Sequence, residues 1–230
     1  MPIGAMQKTT LLDYPGAVAC TLFWQGCNLR CPFCHNPSLV LPQRHGSVTI
    51  SSEELFAFLA KRVGKLDGVC LSGGEPTLDP ELPALIRRIR SMGFSVKLDT
   101  NGTTPAVLGA LLQEGLLDYV AMDIKNSPEK YAQTCGGMDV LDRVRESIRL
   151  LTGSGIAHEF RTTVCHGLHT PEDLVRIGQW LPGSSAYYLQ PFVDSGDLVG
   201  GGLTSPSPQE LEELHCAVLP YIPNTHIRGI

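Results

Sequence analysis

The chain has 230 residues, 43% of them hydrophobic, and a formal net charge of -5 in which acidic and basic side chains are interspersed. No apolar run reaches the roughly 18 residues that a membrane helix needs, and no block of Lys and Arg offers counter-charge to a phosphate backbone. A transmembrane helix is therefore excluded, and nothing favours a nucleic-acid backbone as the main partner. The first residues also lack a signal-peptide pattern, so a cytoplasmic location and a single domain over residues 1–230 are expected.

Along the chain, short β-like runs alternate with amphipathic helical stretches. The runs cover residues 17–24, 68–71, 95–100, 119–124, 156–164 and 186–190. Between them, apolar residues recur at helical spacing in Leu55-Leu59-Val63, Leu82-Leu85-Ile86-Ile89, Val107-Leu108-Leu111-Leu112, Val144-Ile148-Leu151 and Leu174-Val175-Leu181. Helix starts are marked by a capping residue before proline at Asp79-Pro80, Thr104-Pro105, Thr170-Pro171 and Ser207-Pro208. Ser51 with Glu54, and Ser207 with Glu210, add capping-box spacing.

Strand then helix, repeated six times with short connections, implies parallel strands and right-handed crossovers. The predicted fold is α/β, a partial six-unit (β/α) barrel related to the TIM barrel, with a doubly wound sheet as the alternative. Both architectures gather ligands at the carboxyl ends of strands. The unusual residues lie there: a cysteine loop at 25–37, Ser72-Gly73-Gly74-Glu75-Pro76, Asp99-Thr100-Asn101-Gly102 and Asp123-Ile124-Lys125. A Gly/Ser/Pro-rich stretch at 194–208 reads as a long loop.

Eight cysteines in such a chain make a poor disulfide framework. Cys20, Cys70 and Cys216 fall in apolar or helical runs and are expected to be buried structural thiols. Cys135 and Cys165 lie near loop or strand ends, where a thiol could face a cavity, although packing is the commoner role.

Cys27, Cys31 and Cys34 form C-x3-C-x2-C in one loop expected to be exposed at a strand end. Three thiolates with no near fourth suit a [4Fe-4S] cluster with one iron left open for chemistry. Structural zinc is the competing reading, with His35 or His45 as the fourth ligand, but His35 adjoins Cys34 and zinc leaves the other strand-end residues without a purpose.

This loop, with Phe33 before its last cysteine, resembles the signature of the radical S-adenosylmethionine (SAM) superfamily. Gly73-Gly74-Glu75-Pro76 matches the superfamily's glycine-rich motif after the second strand. Within it, the chain is most similar to the activating proteins of glycyl-radical enzymes, and among these to activators of anaerobic ribonucleoside-triphosphate reductase. That likeness rests on Thr10-Leu11-Leu12-Asp13-Tyr14-Pro15-Gly16, the cysteine loop, Asp99 to Gly102, Met122 to Lys125 and Arg161 to Val164.

The resemblance implies one [4Fe-4S] cluster on Cys27, Cys31 and Cys34, and SAM bound on its open iron. Gly73, Gly74 and Glu75 would take the SAM amino group. Asp99, Asn101, Asp123, Lys125 and Arg161 would form a polar wall around its ribose and carboxylate, with Phe33, Cys34 and His35 against the adenine. Gln190 stands where related activases carry a histidine. The family also suggests a monovalent cation near Asp99 and Asp123, a flavodoxin- or ferredoxin-like one-electron donor, and a glycyl-radical protein as partner. A radical SAM enzyme acting on a nucleoside or pterin precursor, and a zinc-stabilised binding domain, are the alternative functions.

Overall fold

The computed structural model describes residues 1–34, 37–40, 49–183, 186–194 and 198–229. One eight-stranded sheet organises them, with strands adjacent in the same order as in sequence. They are β1 (Ile3–Thr10), β2 (Ala19–Trp24), β3 (Gly68–Gly73), β4 (Ser95–Thr100), β5 (Tyr119–Asp123), β6 (Ala157–Val164), β7 (Ala186–Pro191) and β8 (Thr225–Ile227). All neighbours from β2 to β8 pair in parallel, and β1 lies antiparallel on β2. A doubly wound sheet would reverse its strand order at a switch point. This sheet never does, so it is the open, partial barrel.

The helices follow as α1 (Pro37–Val40), α2 (Ser52–Ala60), α3 (Leu82–Ser91), α4 (Pro105–Gln113), α5 (Tyr131–Thr134), α6 (Leu141–Ser154), α7 (Pro171–Trp180) and α8 (Pro208–Val218). Ser51, Thr170 and Ser207 each close a reciprocal capping box at α2, α7 and α8. Asp79 does not cap α3. That helix starts two residues later behind Glu81, and the Asp79 carboxylate accepts both the Glu81 N–H at 3.1 Å and the Trp24 indole N–H at 2.8 Å. Thr104 precedes α4 without a side-chain cap and turns its hydroxyl to Thr77.

Strand periodicity divides the sheet into two unlike faces. Leu22, Trp24, Val69, Leu71, Val96, Leu98, Val120, Met122 and Phe160 are buried in one core with helix residues such as Leu55, Ile86, Leu111 and Ile148. The intervening positions carry Lys97, Asp99, Asp123, Glu159 and Arg161. Arg161 on β6 reaches Asp99 on β4 at 3.3 Å although β5 lies between their strands. Arg161 and Asp99 therefore share the face opposite the apolar core, and in the partial barrel these charges face the inside.

Two strands were not foreseen. Edge strand β1 is mostly exposed and interrupted by register shifts, so it lacks alternation, and β8 is only three residues long. Cys20 and Cys70 are buried as expected, and so are Cys135 and Cys165. Cys216 is the correction: it is exposed on α8, whose buried face is Leu211, Leu214 and Val218.

Candidate active site

The site starts with backbone packing at the ends of β2 and β3. Gly73 takes a φ of +107°, which favours glycine, and a Cβ on Gly74 would collide with the Gly26 carbonyl. The two strand ends are then tied together: Gly74 N–H donates to Trp24 O, and Glu75 N–H to Gly26 O, both at 2.9 Å. The glycine motif thereby fixes where the cysteine loop begins.

Cys27, Cys31 and Cys34 all open on one cavity of about 310 Å³ at the carboxyl ends of the strands. Burial pushes the Cys27 thiol up to about 11, while the neighbouring Cys135 thiol lowers Cys31. The opposite wall is charged. Arg161 donates to Asp123 at 2.6 Å and lies 3.3 Å from Asp99, and Lys125 donates to Asp123 at 2.9 Å. Buried Lys97 pairs with Asp99 from below, and Ser72 donates to it at 2.9 Å.

Burial alone would raise both carboxylates; Arg161 with Lys97 outweighs it at Asp99, and Arg161 with Lys125 does so at Asp123. Both are held below the ordinary carboxylate range. The chain Lys97, Asp99, Arg161, Asp123, Lys125 has three cations and two carboxylates, a net +1. Its guanidinium supplies positive charge beside Asp99 and Asp123, where the resemblance puts a monovalent cation.

Of the residues expected from sequence, Phe33, Gly73, Gly74, Asn101 and Gln190 also line the cavity. His35 lies outside the described residues. Glu75 is the departure: it is fully buried and its carboxylate is not on the cavity wall. It accepts hydrogen bonds from the Thr77 N–H and hydroxyl, the Thr100 hydroxyl at 2.8 Å and the Asn101 N–H at 2.7 Å. Four donors thus engage the carboxylate within the protein.

Ser72 and Thr163, both on the cavity wall, were missed, as was the supporting Lys97. Their signal was present in Lys97-x-Asp99 and Arg161-x-Thr163, polar residues at strand period pointing inward.

Part of the long loop covers the cysteines. Val199 N–H donates to Cys34 O at 3.3 Å, and Gly200 N–H to Pro32 O at 2.9 Å. A Cβ on Gly200 would stand 2.6 Å from Pro32 Cβ. Overpacking of this kind costs about 1–3 kcal/mol. Gly200→Val is therefore expected to displace the cysteine loop, and iron retained after anaerobic reconstitution should fall while far-ultraviolet circular dichroism stays unchanged.

The residues fit an iron-sulfur cluster better than a single ion. Tetrahedral zinc, with Zn–S near 2.3 Å, needs sulfurs about 3.8 Å apart. Among the described residues no three His, Cys, Asp or Glu side chains gather to hold one ion. A cluster instead seats each thiolate on a different iron and requires volume between them, which the cavity provides.

A curled parallel sheet carrying three convergent thiols and a charged wall on its carboxyl-terminal rim defines a cofactor-dependent α/β-barrel enzyme. The family model for the radical SAM superfamily matches residues 21–181, and the chain belongs to that superfamily. It is 34% identical to a Methanocaldococcus jannaschii protein bearing the name of a glycyl-radical enzyme activating enzyme, over 99% of this chain and 96% of that one. A Pyrococcus abyssi protein named for GTP 3',8-cyclase activity is also 34% identical, over 66% of this chain and 49% of its own length. In fold, Streptococcus suis SuiB bound to SAM superposes with a TM-score of 0.69 at 13% identity, covering 91% of this chain and 52% of that one.

Proposed function

We propose that this enzyme activates a glycyl-radical protein, using a [4Fe-4S] cluster held by Cys27, Cys31 and Cys34 and SAM bound against the charged wall. The observation that carries the reading is the opening of all three thiols and the Asp99, Asp123, Lys125 and Arg161 wall onto one cavity. The near full-length likeness to the M. jannaschii protein supports the activase class. When bound, the reduced cluster supplies the electron that splits SAM into methionine and a 5'-deoxyadenosyl radical, which removes a hydrogen atom from a backbone glycine of the partner.

The chain's own residues bind, orient and exclude water. Lys125 and Arg161 offer charge-assisted donors to a carboxylate, and Asp99 and Asp123 offer acceptors to ribose hydroxyls. Gly73 and Gly74 let backbone approach the ligand closely. Phe33, with the Lys125 ammonium 5.8 Å from its ring centre, supplies an apolar face for a base. No nucleophile or general base is required of any side chain.

The partner we propose is anaerobic ribonucleoside-triphosphate reductase, with a flavodoxin- or ferredoxin-like protein as electron donor in the cytoplasm. Support comes from the sequence likeness at Thr10 to Gly16, Asp99 to Gly102 and Met122 to Lys125. Among the described residues no helix is long and apolar enough to cross a membrane. The decisive experiment mixes reconstituted, reduced enzyme, SAM and the reductase subunit under anaerobic conditions, and reads the glycyl radical by electron paramagnetic resonance.

Likeness to the P. abyssi protein over two thirds of this chain favours a second reading, a small nucleotide-derived substrate. Turnover of such a compound in place of a glycyl signal would select it.

A further inference from the structure

The monovalent cation suggested by the family resemblance would need oxygens of Asp99 and Asp123, and each of those oxygens already faces a donor of the chain. At Asp99, Oδ1 pairs with the Lys97 ammonium, while Oδ2 accepts the Ser72 hydroxyl at 2.9 Å and lies 3.3 Å from the Arg161 guanidinium. At Asp123, Oδ1 accepts from Arg161 at 2.6 Å and Oδ2 from Lys125 at 2.9 Å. Charge balance points the same way. The chain of three cations and two carboxylates is already positive, and a further ion would have to enter against three fixed positive groups. These residues do not fit a bound monovalent ion.

Lys97 is the member of this set that never meets the cavity. It shares a face of β4 with Asp99, two residues on. Its partners in register are Cys70 on β3 and Tyr119 on β5. The ammonium lies 3.8 Å from the Cys70 sulfur and 5.9 Å from the Tyr119 ring centre, and the side chain is only 2% exposed. Glu159, also within electrostatic reach, is engaged by Arg228 at 2.7 and 2.8 Å and by the Tyr119 hydroxyl at 2.9 Å. Among the described residues, the ion pair of Lys97 is therefore with Asp99. Taking an ammonium this far out of water is costly, and its acidic partner stands on the cavity wall. Lys97 acts on a ligand through Asp99.

We propose that Lys97 is a positioning residue that serves as the built-in counter-ion of Asp99, so that this SAM site works without a dissociable monovalent cation. The inference rests on the reading that SAM binds against the charged wall. A tethered ammonium stays in place when the ligand leaves, so Asp99 is held charged and oriented before SAM arrives. Methionine at position 97 would remove that charge, leave Asp99 Oδ1 without its donor and balance the remaining two cations with two carboxylates. Sodium or potassium can then take the vacated place.

The test measures SAM dissociation constants of the reconstituted enzyme by anaerobic equilibrium dialysis, in buffers whose cation is sodium, potassium or tetramethylammonium, the last too large to enter between the carboxylates. Wild type and Lys97→Met are compared, and thermal midpoints are recorded in each buffer. Wild type should bind SAM equally in all three. In the variant, affinity should fall about tenfold in tetramethylammonium, a typical coupling between two sites, and recover in sodium or potassium. A lysine with a merely structural role would lower the thermal midpoint without making SAM affinity depend on the ion.

Wild-type affinity that drops when sodium and potassium are withdrawn would overturn the proposal. So would a folded variant whose affinity is unchanged in every buffer or lost in every buffer. If Lys97→Met does not fold, the wild-type comparison alone decides. Wild-type protein that holds its cluster and binds no SAM in any buffer would instead remove the underlying reading, and the inference with it.

Discussion

Alanine in place of Cys27, Cys31 or Cys34 is expected to leave anaerobically reconstituted protein without a stable cluster and to reduce SAM cleavage at least about a thousandfold, more than 4 kcal/mol in barrier. In the proposed site each thiolate would serve a different iron, so two remaining ligands could not hold a cluster that already has one iron open. Cys216→Ala, exposed on α8, is the control and should match wild type. Iron and sulfide content, the visible spectrum and release of 5'-deoxyadenosine read the result. Wild-type cleavage by any of the three variants would remove the loop from the chemistry.

The parts of the molecule legible in sequence are those where one local rule acts alone. Six strands from β2 to β7 announced themselves because their outward faces are buried apolar residues, and α2, α7 and α8 because their capping boxes are complete. The cysteine loop was legible because three thiols within eight residues have few other uses.

What could not be read depends on sheet curvature. Lys97 looks like an ordinary polar position in a strand until β4 and β6 curl together and enclose it with Asp99 and Arg161. Cys135 lies more than a hundred residues from Cys31, and only the packing of Gly136 on Arg30 makes them neighbours. Asp79 shows the opposite error. A strong local signal for a helix cap gave a turn: the carboxylate accepts the Glu81 N–H as well as the buried Trp24 indole N–H, and α3 starts behind Glu81.

Glu75→Ala should destabilise the fold by about 4 kcal/mol, because the Thr77 and Asn101 amides are left buried without an acceptor, at about 1–3 kcal/mol each, beside two displaced threonine hydroxyls. For a chain of this size that corresponds to a drop of roughly 10 °C in thermal midpoint. Burial raises the pKa of Glu75, so its charged form is costly by itself, and the four donors offset that cost. Damage should extend to the site. Glu75 anchors Asn101, whose amide reaches both Cys27 at 3.7 Å and Asn28 at 3.1 Å, so loosening the β4 rim frees the start of the cysteine loop. Glu75→Gln preserves the shape and one accepting oxygen, and should lose less than the alanine variant. Paired measurements decide between two roles of the Glu75 carboxylate. A stability loss that precedes any loss of SAM affinity identifies the carboxylate as the clamp between β3 and β4, whereas unchanged stability with lost affinity would return it to the ligand.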